Sequence, residues 1–218
     1  ENVIQLSLLH YSHLDGVNTT VGNNIKSAFR KSMQNSAQNL PAQTNDLDAY
    51  KAYLDPNNIG WGSNQTKCNH GNLYQVYHHF NLNTANNALA EKIMSHYIHY
   101  MHGINPNALT YLTKMSALGA DRSVNTIYHG WFTEGSALWD DVRTSTYGPA
   151  PGFIPGGPNP NWSLDGCCPS SCGSAVNNNL CNITNPPSNQ PALKSYKEWN
   201  TGWPQNSWEV TENSIYSQ

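Results

Sequence analysis

The 218-residue chain is long enough for one domain with a real core, or for part of a larger one. Only 11% of its residues are charged, against about 25% in typical soluble domains, and the net charge is -3. That excludes the basic footprint of a nucleic-acid binder or of a protein drawn to an anionic membrane surface, and favours a neutral, hydroxyl-rich partner such as carbohydrate.

In chain order, Asn2 to His13 carries an apolar, partly helical pattern (Val3, Ile4, Leu6, Leu8, Leu9) that stops at the turn-forming Asp15-Gly16. Val21, Ile25, Ala28 and Phe29 recur at i, i+4, i+7 and i+8 and predict a second helix, capped by Asn18 or Thr19. Leu40-Pro41 closes that region. Residues 45–58, with Asp-Pro and Asn-Asn turn signals, read as an irregular connection. Trp61-Gly-Ser-Asn64 opens the next unit, where small residues let the backbone turn before a helix bearing Leu73, Val76, Tyr77 and Phe80. A stronger helix follows, with Leu89, Ile93, Met94, Tyr97, Ile98 and Met101 at 3.6 periodicity, stopped by Gly103 and Pro106. His70, His78, His79, His96, His99 and His102 cluster in these two helices. No carboxylate or cysteine accompanies them at ligand spacing, so they read as structural or surface histidines.

From Asn105 onward the periodicity fades, and loops rich in glycine, proline and aromatics take over, including Tyr128-His-Gly-Trp-Phe and the tract from Tyr147 to Trp162. Loops of this length in a compact domain are usually functional. Trp131, Trp139, Trp162 and Trp203 are candidate platforms for stacking, with a core position as the plain alternative for each. No nucleotide-type glycine loop and no Gly-x-Ser-x-Gly elbow occurs, and no candidate strand alternates convincingly. The fold class is therefore all-α with long loops. Four of the five cysteines, Cys167, Cys168, Cys172 and Cys181, are crowded together at spacings that suit disulfides better than zinc; their pairing stays open, and they imply an oxidising compartment. Cys68 is left over as a buried thiol. Asn18, Asn64, Asn161 and Asn182 stand in N-glycosylation sequons, a pattern that an asparagine-rich chain also produces by chance.

The last stretch, Trp203 to Gln218, joins an aromatic segment to Asn206-Ser207, a helix-capping pair, followed by Glu209 and Glu212 at i, i+3. It predicts a terminal helix with the two carboxylates on one face. Tryptophans beside such an acid lower the local polarity and keep it protonated, as a sugar-cleaving acid requires. In purely structural terms Glu212 closes a capping box and Glu209 suits the helix dipole.

Four collinear segments resemble the C-terminal part of glycoside hydrolase family 9 catalytic domains. They are Trp61-Gly-Ser-Asn64; Tyr100-Met-His-Gly-Ile-Asn-Pro106; Pro151-Gly-Phe-Ile-Pro-Gly-Gly-Pro-Asn159; and Trp208-Glu-Val-Thr211, similar to the family's Asn-Glu-Val-Ala. The resemblance covers roughly residues 50 to 218, and the cysteine loop is similar to that of secreted bacterial members. It implies part of an (α/α)6 barrel, the six-hairpin toroid, and inverting hydrolysis of β-1,4-glucosidic bonds, with Glu209 as general acid. The family's Asp-Ala-Gly-Asp base motif is missing; Asp46, Asp48 and Asp55 do not match it. Residues 1–218 then form the C-terminal portion of one catalytic domain, with the base on a part outside this chain. His129, before Gly135-Ser136, matches the family's substrate histidine, and Trp131 replaces its arginine, which suggests stacking; Tyr128 and Trp203 complete the substrate-binding set. Asn200 stands where the family often has Asp. No cofactor is required; family members often bind structural calcium, for which Asp140, Asp141 and Asp165 could serve, with a solvated or capping role as the plain alternative for each. The expected partners are a β-glucan polysaccharide and the N-terminal part of the same domain, with no nucleic acid and no membrane, and the expected location is extracellular. A rival reading of the same residues is a non-catalytic carbohydrate-binding or structural module that uses the aromatic loops.

Overall fold

The computed structural model describes residues 2–60, 62–126, 136–161, 169–171, 173–175, 178–179, 191–196 and 212–216, the side chains of 2–3 and 212–216 excepted. The chain is mostly helical and divides into two compact units, Glu1–Tyr53 with Lys67–Ile98, and Leu54–Thr66 with His99–Gln218.

In the first unit, helix α1 (Asn2–Tyr11) packs on α2 (Thr19–Asn35), and α2 on the short α3 (Leu40–Thr44). Asn18 caps α2 by accepting from the Val21 N–H at 3.1 Å, as the spacing predicts. The proline at position 41 does not close the region: it stands in the first turn of α3, where its missing N–H costs nothing. Helices α4 (Ser63–His79) and α5 (Asn87–Met101) follow at the positions the apolar period marks. Their close approach is made at Gly71, where an added Cβ would stand 3.1 Å from the Tyr97 Cβ. The Tyr97 ring stacks beside Tyr74 at 6.1 Å, and its hydroxyl donates to the Tyr53 carbonyl at 2.6 Å. Leu9, Met33, Tyr74, Tyr77, Ala90, Ile93 and Tyr97 form the core of this unit. Among the described residues, no helix is long and apolar enough to cross a membrane.

In the second unit the chain turns after the end of α5 at Gly103, whose φ of +108° only glycine adopts freely. Two small two-stranded sheets add to the mostly helical frame that the all-α expectation anticipated. Strand β1 (Thr110–Thr113) pairs in parallel with β2 (Ser123–Val124), and β3 (Ile154–Gly157) pairs antiparallel with β4 (Glu212–Tyr216). The terminal helix expected through Glu212 is not formed there: residues 212–216 are extended and satisfy their backbone groups against β3.

The irregular connection is held by its carboxylates. Asp48 accepts from the N–H groups of Tyr50 and Ala52, Asp55 caps a 3₁₀ turn at Asn57, and Asp46 pairs with Lys51. Lys67, buried on α4, donates to the Ala52 carbonyl. Burial pushes its pKa from the ordinary 10.5 down to about 8, with Asp48 opposing. The unfolded chain therefore holds more protons than the folded one across that interval, so folding stability rises as pH climbs from about 8 toward 10.5. Full release of the strain is worth about 3 kcal/mol. Urea midpoints measured across this range should rise in the native chain relative to Lys67→Met, which should lack that component of the slope.

Candidate functional site

The most constrained ground in the second unit is where α4 begins. Ser63 and Asn64 are fully buried. The Ser63 hydroxyl donates to the Pro158 carbonyl at 2.8 Å, and the Asn64 side-chain amide donates to the Pro155 carbonyl at 3.1 Å. Between those two carbonyls, Gly157 has φ +98°, and a Cβ on it would fall 2.5 Å from the Asn64 Cγ. Glycine is demanded twice there, by the backbone and by the neighbour. Burial also makes the Asn64 sequon unusable for glycosylation in the folded chain.

A hydrogen-bond path carries this clamp outward. Thr113 at the end of β1 donates its N–H to the Phe153 carbonyl at 3.0 Å and accepts from the Gly152 N–H at 2.9 Å. Upstream of β1, Asn105 fixes the turn after α5, donating to the carbonyls of Tyr100 and Leu109 and accepting from the Asn107 N–H. On the other edge of β3, Gly157 faces Glu212 and Pro155 faces Ile215 in the strand register. Three of the four segments that carry the family resemblance are thus tied together by side-chain and backbone hydrogen bonds, and the fourth directly precedes β4 in sequence.

Beside β2 lies a cavity of about 460 Å³, lined among others by Asn107, Asp121, Arg122, Ser123, Asn125 and Tyr196. Arg122 donates to the Asn107 carbonyl at 3.1 Å, and Tyr196 packs edge-on against the buried Tyr111. These groups suit a ligand with hydroxyls. No motif marks these residues in the sequence; only 121–125 stand close before Tyr128-His129, while Asn107 and Tyr196 come from distant stretches.

Glu209, Tyr128, His129, Trp131 and Trp203 lie outside the described residues, as do Trp162, Asp165, Asn200 and the four clustered cysteines. Trp139 is 45% exposed, which removes its core alternative. Asp141 is taken by Arg143, which holds its carboxyl below the usual range through hydrogen bonds from Nε, Nη2 and the backbone N–H. Among the described residues no group of three His, Cys, Asp or Glu side chains that could hold a metal ion forms, and Asp165, one of the three aspartates considered for calcium, lies outside them. The helix histidines are surface or packing groups: His79 meets Phe80 edge-on, and His70, its pKa lowered by burial and by Lys67, lies against Tyr97.

The model of glycosyl hydrolase family 9 matches residues 2–218. The chain belongs to glycosyl hydrolase family 9. Solved structures with a similar fold include AaCel9A in complex with a cellobiose-like isofagomine, at 17% identity and TM-score 0.55 over 91% of this chain and 30% of that one. The D468A mutant of a thermostable endoglucanase from Alicyclobacillus acidocaldarius matches at 17% identity and TM-score 0.51, over 83% of this chain and 27% of that one. A Zn-binding triple mutant of the family 9 endoglucanase J30 matches at 14% identity and TM-score 0.57, over 96% and 31%. No curated protein matches the sequence. The family 9 chain thus spans about 30% of the length of the structures it resembles.

The clamp makes a direct prediction. Gly157→Ala should destabilise the family 9 chain by about 3 kcal/mol, combining positive-φ strain with overpacking against Asn64. Asn64→Ala should cost about 2 kcal/mol by removing a buried hydrogen bond. Chemical denaturation of both variants checks these values.

Proposed function

We propose that this chain supplies the acid-bearing part of a family 9 site that hydrolyses β-1,4-glucosidic bonds in cellulose or related β-glucans with inversion. The observation that carries the reading is the pairing of β4 with β3 at the Ser63–Asn64 clamp, in a chain that the family model matches almost end to end. Glu209 stands three residues before Glu212, the first residue of the strand that pairs with β3. Glu209 would protonate the glycosidic oxygen as the bond breaks. A base aspartate would activate water on the opposite face of the sugar, with the two carboxyls roughly 6.5–9.5 Å apart. Asp46, Asp48 and Asp55 are each engaged in a turn, a cap or an ion pair, which supports placing that base on a part of the catalytic domain outside these 218 residues. His129, Tyr128, Trp131 and Trp203 are assigned to the substrate, by hydrogen bonding and stacking. The clustered cysteines support an extracellular, disulfide-stapled protein.

A second assignment of the acid has an observation in its favour. In the strand register the residue opposite Gly157, which has no side chain, is Glu212. Reducing-sugar release from soluble cellulose, measured for the 218-residue chain and for a form extended N-terminally, tests both. Loss of at least about a hundredfold on Glu209→Gln alone supports the first assignment, and the same loss on Glu212→Gln alone supports the second. Hydrolysis indifferent to both substitutions contradicts the acid role, and binding without hydrolysis in either form favours a non-catalytic carbohydrate module.

A further inference from the structure

An exposed pair of aromatic rings in the second unit has no part in the acid–base reading. Trp139 and Tyr147 stack on each other with ring centroids 4.7 Å apart and planes 27° off parallel, yet 45% and 52% of their surfaces remain open. The loop beneath them is closed by its own backbone. Thr146 N–H donates to the Ala137 carbonyl at 3.0 Å, and the N–H groups of Tyr147 and Gly148 both donate to Leu138, at 2.7 and 3.0 Å. Ser136 and Ser145 tie the two ends together, the Ser145 hydroxyl donating to the Ser136 carbonyl at 3.0 Å. Gly148, at φ +68°, lets the backbone pass Val142, where a Cβ would come within 2.9 Å. The rings are therefore fixed before any ligand arrives, and binding need not order them.

We propose that the Trp139–Tyr147 pair is a stacking platform for the flat face of a glucopyranose unit in a β-glucan chain, extending the substrate tract beyond the residues at the scissile bond. This rests on the β-glucan reading above. Three observations select a sugar as the occupant. A ring whose substituents are all equatorial presents an apolar C–H face that matches an open aromatic surface, with its hydroxyls pointing sideways to polar neighbours. Polar groups stand on the same loop, where Arg143, 60% exposed at its side chain and paired with Asp141, lies between the two aromatic residues in sequence. The platform is also continuous with the proposed sugar-binding ground: Ser136 directly follows the segment carrying Tyr128, His129 and Trp131, and Val142 N–H donates at 3.1 Å to Asn125, which lines the polar cavity.

Affinity electrophoresis of the 218-residue chain in gels containing hydroxyethylcellulose, with dextran gels for comparison, tests the platform by binding alone. The native chain should be retarded by the β-glucan and not by dextran. Trp139→Ala and Tyr147→Ala should each weaken the association about tenfold. Trp139→Phe and Tyr147→Phe keep a flat ring and should retain most of it, while Leu14→Ala, an exposed apolar residue of the first unit, should change nothing. Alanine variants retarded like the native chain would overturn the platform, as would a native chain that β-glucan does not retard, or an equal loss from Leu14→Ala. A failed platform beside hydrolysis that still depends on Glu209 or Glu212 leaves the catalytic reading standing, so the two can fall separately.

Discussion

The hydrogen bond from the Asn64 side chain to the Pro155 carbonyl, with the Ser63 hydroxyl on Pro158, is the constraint on which the second unit depends. Pro155 has no N–H, and prolines and glycines make poor strands, so Ile154–Gly157 has little intrinsic reason to be extended. A buried amide and hydroxyl at the head of α4 take two of its carbonyls, and Gly157 lets them come that close. Once fixed, the segment offers an edge on which residues 212–216 pair. Residues 212–216 thus pair with a segment held by side chains that stand some 150 residues earlier in the sequence.

This explains what was legible in the sequence and what was not. The helices show because each carries its own local evidence: Asn18 as a cap, the apolar period from Leu89 to Met101, and Gly103 as the stop. The strands do not. Ser123–Val124 is too short to alternate. In Glu212–Tyr216 the preceding Asn206-Ser207 and the i, i+3 acids imitate a helix start, while the pairing that decides the outcome is non-local. The Trp-Gly-Ser-Asn and Pro-Gly-Gly-Pro segments were legible as motifs, but their meeting was not, because nothing in either string names the other.

The sparse charge has a second consequence. Four of the described aspartates are spent on local order: Asp46, Asp48 and Asp55 in the irregular connection, and Asp141 on Arg143. On the proposed reading, recognition falls mainly to neutral polar groups and aromatic faces, such as Asn107, Asn125, Tyr196 and the Trp139–Tyr147 stack. Such a surface suits a hydroxyl-rich polymer and gives little purchase to an anion. It also costs little in repulsion, so a buried lysine such as Lys67 can be held by one carbonyl and a nearby carboxylate.

The most direct test of this account is the pattern of cross-strand nuclear Overhauser effects between the backbone protons of residues 154–157 and 212–216 in the isotopically labelled chain. The account predicts an antiparallel set, with Pro155 opposite Ile215 and Gly157 opposite Glu212. A continuous run of helical amide–amide contacts through residues 212–216, with no cross-peaks to 154–157, would contradict it and detach the acidic segment from the clamp.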